Sequence, residues 1–124
     1  MDAYLLVALG SAAGGLGRFW LASCFDGPPE TGFYWGTLAV NLLGCLIIGA
    51  VAAASEALWV RHLIMVGVLG GFTTFSAFSL HTLRLVQAER WGTAAIYVLA
   101  SVMLCLVAVW LGFTVLRALR VPAG

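Results

Sequence analysis

The groups in this chain able to do chemistry are neutral hydrogen-bond donors set in apolar surroundings. Thr37 and Asn41 stand one helical turn apart. Thr73, Thr74, Ser76 and Ser79 crowd the stretch "GGFTTFSAFS", Gly70 to Ser79. Tyr97, Ser101 and Cys105 recur at i, i+4 and i+8 and so share one face of a helix. Hydroxyl and amide groups donate to anions without carrying charge. Phenyl rings have a positive edge, and Phe75 and Phe78, three apart, can turn two such edges to one side of a helix. A path lined this way suits a small, hard anion whose water shell must be replaced, with selectivity coming from donors and width instead of net charge. The competing reading is structural. Ser and Thr in membrane helices back-bond to a carbonyl one turn earlier or join helices, and Phe at helical spacing packs. On the residues alone the structural reading leads.

A second chemistry belongs to the backbone. Gly70-Gly71 can unwind a helix, and unwound carbonyls at membrane depth are tolerated only where something satisfies them. In discontinuous membrane helices such carbonyls coordinate Na⁺ or similar ions. With no acid nearby, an ion here is ligated by carbonyls alone, which points to monovalent Na⁺ over a divalent metal. If two antiparallel copies met at this point, carbonyls from both would enclose one ion on the twofold axis.

The elements that must position these groups are membrane helices. Of the 124 residues, 63% are hydrophobic and 9% charged, against roughly 25% charged in ordinary soluble proteins. Runs free of charged side chains cover 3–17, 19–25, 31–55, 62–83 and 91–116. The last three match the ~20 apolar residues that cross a hydrocarbon core, and the first two join if Arg18 lies near a helix end or faces protein. The fold class expected is all-α and integral to the membrane: one four-helix domain over 1–124, with helices at about 4–24, 33–55, 60–86 and 91–119. Helix three breaks near Gly70–Thr73. Gly10-x-x-x-Gly14 is the small-residue spacing that lets helices approach closely. Pro28 and Pro29 in "DGPPETG" end helix one. Asp2, where a cleaved signal would carry Lys or Arg, argues for a retained first helix. Short loops make successive helices antiparallel.

Orientation should follow the Lys/Arg bias between the two sides. Lys is absent; Arg61, Arg117 and Arg120 fall on the side of the termini, and Arg18, Arg84 and Arg90 on the other. The tie gives no preferred orientation and permits copies inserted both ways. Other functions are excluded by what is missing. Asp2, Asp26, Glu30, Glu56 and Glu89 all sit at helix ends or in loops, so no carboxylate at membrane depth carries protons or binds cationic drugs. His62 and His81 have no paired acid nearby in sequence, the spacing of Cys24, Cys45 and Cys105 fits no zinc or disulfide framework, and no nucleophile–base pair is present. The chain is not expected to be an enzyme. A net charge of +1 without a basic cluster leaves no nucleic-acid footprint.

Three segments in order, "GGLGRFW" (Gly14–Trp20), "GTLAVNLLGCLIIG" (Gly36–Gly49) and "GGFTTFSAFS", make the chain resemble the CrcB/Fluc fluoride channels along nearly its whole length. The resemblance implies a passive, fluoride-specific channel that exports cytoplasmic fluoride and lowers its toxicity. It implies a bacterial plasma-membrane protein working as a dual-topology antiparallel dimer with two pores, and a structural Na⁺ at the dimer interface as its cofactor. Matched by motif, the Na⁺ ligands are the backbone carbonyls of Gly70 and Thr73. The pore-lining pair is Phe75 and Phe78, the helix-two amide is Asn41, and the polar track includes Thr37, Ser76, Tyr97 and Ser101. Arg18 matches a helix-one arginine that is structural or vestibular. Three positions depart from the family pattern: Ala77 where a hydroxyl is common, His81 where an acid is common, and Cys105 where a serine is expected. They admit a non-conducting or half-competent subunit beside a paralogous partner, or they tune conduction. A small secondary transporter is a separate alternative, of a different class, which the missing acids disfavour.

Overall fold

A computed structural model describes residues 2–25 and 32–120, and every regular element among them is helical. α1 spans Ala3–Phe25 and α2 spans Trp35–Ala54. The third span, Leu58–Gln87, is composite. It comprises α3 (Leu58–Val60), a π-helical segment (Arg61–Leu69), α4 (Gly70–Phe72) and α5 (Phe75–Gln87). α6 runs Trp91–Arg120. All four spans are long and apolar enough to cross a bilayer, the chain's few charges falling at or near their ends. The proline turn, Asp26 to Thr31, lies outside the described residues.

The tightest packing joins the first span to the third and the second to the fourth, so each pair runs parallel and sequence neighbours run antiparallel. Small residues make both contacts possible. Gly10 of α1 meets Gly67, Gly14 meets Val68 and Phe72, and Gly71 meets Ser11, with the same four-residue glycine spacing on both sides. A Cβ on Gly10 would lie 2.8 Å from Gly67 Cα, and one on Gly14 would run into the Val68 carbonyl. Backbones this close gain dispersion contact, which drives helix association where lipid removes the hydrophobic effect. On the other pair, Gly49 abuts the Val109 carbonyl and Gly112 the Leu46 carbonyl.

A core cluster of Phe78, Leu85, Ala94 and Tyr97 joins α5 to α6, with Phe33, Tyr34, Val86 and Val98 packed against it. The α5–α6 turn is closed by two reversed bonds. Glu89 N–H donates to the Val86 carbonyl and Arg90 N–H to the Leu85 carbonyl, both at 2.9 Å. That pattern needs a left-handed residue at the turn, and Glu89 takes it at φ 57°.

Candidate functional site

Helical geometry lapses at Thr73 (φ −77°, ψ 157°) and Thr74 (φ −150°, ψ 116°). The two glycines before them stay helical, Gly70 at φ −64° and ψ −38°. They have other duties. Gly71 packs inward, where an added Cβ would sit 2.6 Å from the Ser11 carbonyl oxygen of α1. Gly70 is exposed, and an added Cβ would meet only the Met65 carbonyl oxygen, at 3.7 Å.

Asn41 makes the extended pair tenable. Thr74 N–H donates to Asn41 Oδ1 at 2.7 Å, and Asn41 Nδ2 donates to the Thr74 carbonyl at 3.0 Å. One carboxamide thereby satisfies both backbone groups of a buried residue, which lipid cannot do. The Thr74 hydroxyl caps α5 by accepting from Ala77 N–H at 3.1 Å. Both bonds redirect donors. The Thr74 N–H that an uninterrupted helix would give to the Gly70 carbonyl goes to Asn41, and the Ala77 N–H due to the Thr73 carbonyl goes to the Thr74 side chain. The two carbonyls expected to face a cation are therefore among those deprived of their helical donors. Carbonyl oxygen is a hard donor suited to an alkali cation. Among the described residues no group of three or more His, Cys, Asp or Glu is assembled that would favour another metal.

The hydroxyls sort into two classes. Thr73 donates back to the Leu69 carbonyl and Ser79 to the Phe75 carbonyl, each at 2.9 Å, as membrane hydroxyls commonly do. Ser101 does not: its Oγ is buried and has no hydrogen-bond partner among the described residues. An orphaned buried hydroxyl costs about 1–3 kcal/mol, a cost recovered if something accepts from it. Ser101 lines a cleft of about 390 Å³ together with Asn41, Thr73, Thr74, Phe75, Phe78, Cys45 and Cys105. Phe75 and Phe78 have centroids 5.2 Å apart at 47°, yet their surroundings differ. Phe78 is 8% exposed and packs on Tyr97 at 5.4 Å, whereas Phe75 is 77% exposed.

The other expected site residues lie around this cleft without lining it. Tyr97 is fully buried beneath Phe33, Tyr34 and Phe78. Ser76 is exposed, its Oγ 3.2 Å from Thr74 Oγ1. Thr37 belongs to a second cleft, of about 240 Å³, with Arg18, Phe19, Ala77 and His81. Thr37 Oγ1 lies 3.2 Å from His81 Nδ1, and the His81 ring stacks on Tyr34 at 3.7 Å and 6°. Thr74 borders both clefts, so its pairing with Asn41 stands between them. The sequence offered Thr74 as one hydroxyl among several. Its signal was positional: a threonine just ahead of a helical run is a ready N-cap.

Residues 5–113 match the family model described as CrcB-like protein, Camphor Resistance (CrcB). The chain is 50% identical over 119 residues, covering 90% of both chains, to a protein of Opitutus terrae named fluoride-specific ion channel FluC. A protein of the same name from Paramagnetospirillum magneticum is 46% identical over 120 residues, covering 90% of this chain and 93% of that one. Another from Thermus thermophilus is 44% identical over 120 residues, covering 91% and 94%.

Proposed function

The chain belongs to the CrcB family, and from that premise we propose that it is a fluoride-specific ion channel, passively letting fluoride out of the cytoplasm and so lowering its toxicity. It is a multi-pass membrane protein and not an enzyme; the membrane is the bacterial plasma membrane. The observation that carries the reading is the Ser101 cleft. A buried, unpartnered hydroxyl, a carboxamide and two phenylalanines converge there with no ionised group among them. Fluoride entering it trades water for neutral donors and ring edges. Thr37, Ser76 and Tyr97 continue the polar track on either side.

The working unit is an antiparallel dimer of dual topology. The even division of arginines between the two sides supports it, as do Phe75 and Gly70, motif residues left exposed on one chain. A second copy against this face covers Phe75 and completes a pore on each side. In that dimer the Gly70 and Thr73 carbonyls of both copies would surround one Na⁺ on the twofold axis. The redirected donors of those carbonyls support this assignment. The bound ion would supply positive charge that holds the two interrupted helices together.

Purified protein reconstituted in fluoride-loaded liposomes should release fluoride rapidly while retaining chloride. A folded protein that releases neither, alone or mixed with a paralogous subunit, refutes the reading.

A further inference from the structure

One pair of nucleophilic side chains in the cleft wall has no part in this picture. Cys45 on α2 and Cys105 on α6 each precede by one turn the place where the two backbones touch. There, a Cβ on Gly49 would sit 2.9 Å from the Val109 carbonyl carbon. That contact holds the thiols face to face. The two side chains adjoin in one cleft wall, and both are unoxidised and half-buried. Both open onto the cleft that holds Ser101, one turn before Cys105 on α6. Cys24, the remaining cysteine, is exposed near the end of α1.

Two facing thiols, with no third ligand grouped with them among the described residues, cannot build the four-coordinate site that zinc prefers. They do match a soft cation content with two sulfur ligands in line. We propose that Cys45 and Cys105 form a two-thiol site for a soft, two-coordinate divalent cation of the Hg(II) class, and that loading it obstructs the cleft. Two S–H bonds are broken and two metal–sulfur bonds form. Two protons leave to the medium, and the metal keeps its oxidation state. The adduct is neutral, which a low-dielectric site requires. A monovalent Ag(I) or Cu(I) would leave a net negative charge there and is penalised for it. The obstruction, unlike the binding, rests on reading the cleft as the fluoride path.

The test uses the full chain with Cys24→Ser, titrated with HgCl₂ in detergent and then in fluoride-loaded liposomes. One mercury per chain should consume both titratable thiols and raise the thiolate-to-mercury absorption in the ultraviolet. Cys45→Ser and Cys105→Ser should each abolish that two-thiol adduct, with the alanine variants as second versions should a serine variant misfold. Two mercury ions per chain consuming one thiol each, no binding, or equal binding of Zn(II) would overturn the site. Loading should abolish fluoride release, and Cys105→Ser should restore it in the presence of mercury. Unchanged release from a loaded protein would overturn the obstruction. A protein that conducts no fluoride before metal is added would instead refute the channel reading, leaving the thiol stoichiometry to judge the site.

Discussion

Replacing Asn41 with alanine removes both partners of the Thr74 backbone at once. Two estimates of the damage compete. Hydrogen bonds between membrane helices average about 0.6 kcal/mol each, giving roughly 1 kcal/mol for the pair. A buried donor or acceptor left unsatisfied costs about 1–3 kcal/mol, giving about 2–6 kcal/mol for two. The smaller figure assumes that the freed groups find other partners. Thr74 is 8% exposed and extended, with its own hydroxyl committed to the cap of α5, so substitutes are scarce. The larger range therefore applies. Asn41→Ala should lower stability by at least about 2 kcal/mol, measured by reversible unfolding of the detergent-solubilised chain in sodium dodecyl sulfate. Asn41→Asp separates the two bonds. It keeps the acceptor for Thr74 N–H but sets a second oxygen against the Thr74 carbonyl. Only the neutral acid carries a donor for that carbonyl, so this variant should recover towards wild type as pH falls. It should also lose fluoride flux at neutral pH. Stability of Asn41→Ala within about 0.5 kcal/mol of wild type, the range of an ordinary surface change, would refute the reasoning.

Four further variants test the rest of the site. Phe75→Ile removes the exposed ring and keeps the packed Phe78, and should suppress fluoride release from liposomes while the proposed dimer survives size-exclusion chromatography. Ser101→Ala deletes the orphaned hydroxyl. It should leave stability unchanged or raise it by about 1 kcal/mol while slowing fluoride release, an opposition that a purely structural serine would not produce. The two motif glycines should separate as well. Gly71→Ala forces Ser11 backbone to move and should destabilise the chain by about 1–3 kcal/mol in chemical unfolding. Gly70→Ala meets nothing closer than 3.7 Å within the chain, so it should fold normally and show its effect only in dissociation of the proposed dimer.

The four spans were legible because a bilayer demands long uncharged runs, and little else in a sequence this short produces them. The cleft was legible in part. Asn41, Phe75, Phe78 and Ser101 do line one cavity, whereas Thr37 sits across the Asn41–Thr74 pairing from it and Ser76 faces outward. Spacing along a helix specifies a shared face, but not which neighbour covers that face. The glycines carry a similar lesson. Gly70-Gly71 reads as a point of weakness, yet both residues are helical, and Gly71 is where the third span meets α1. Gly67-x-x-x-Gly71 is the same spacing as Gly10-x-x-x-Gly14, and only the pairing of the two makes either meaningful. Hydroxyls were the least legible. Nothing local distinguishes Ser79, bonded back to its own helix, from Ser101, which has no acceptor among the described residues.

The carboxamide of Asn41 behaves toward Thr74 as a neighbouring strand would, a sheet one rung long carried by a side chain. A rung of this kind has a register. If α2 were to slide along the third span by even part of a turn, both bonds would fail together, since donor and acceptor sit on the same planar group. The vertical offset of these two spans is thus keyed by a single residue, at the level where the two clefts adjoin. Glutamine, with the same amide on a stem longer by one methylene, would shift the key and not merely loosen it.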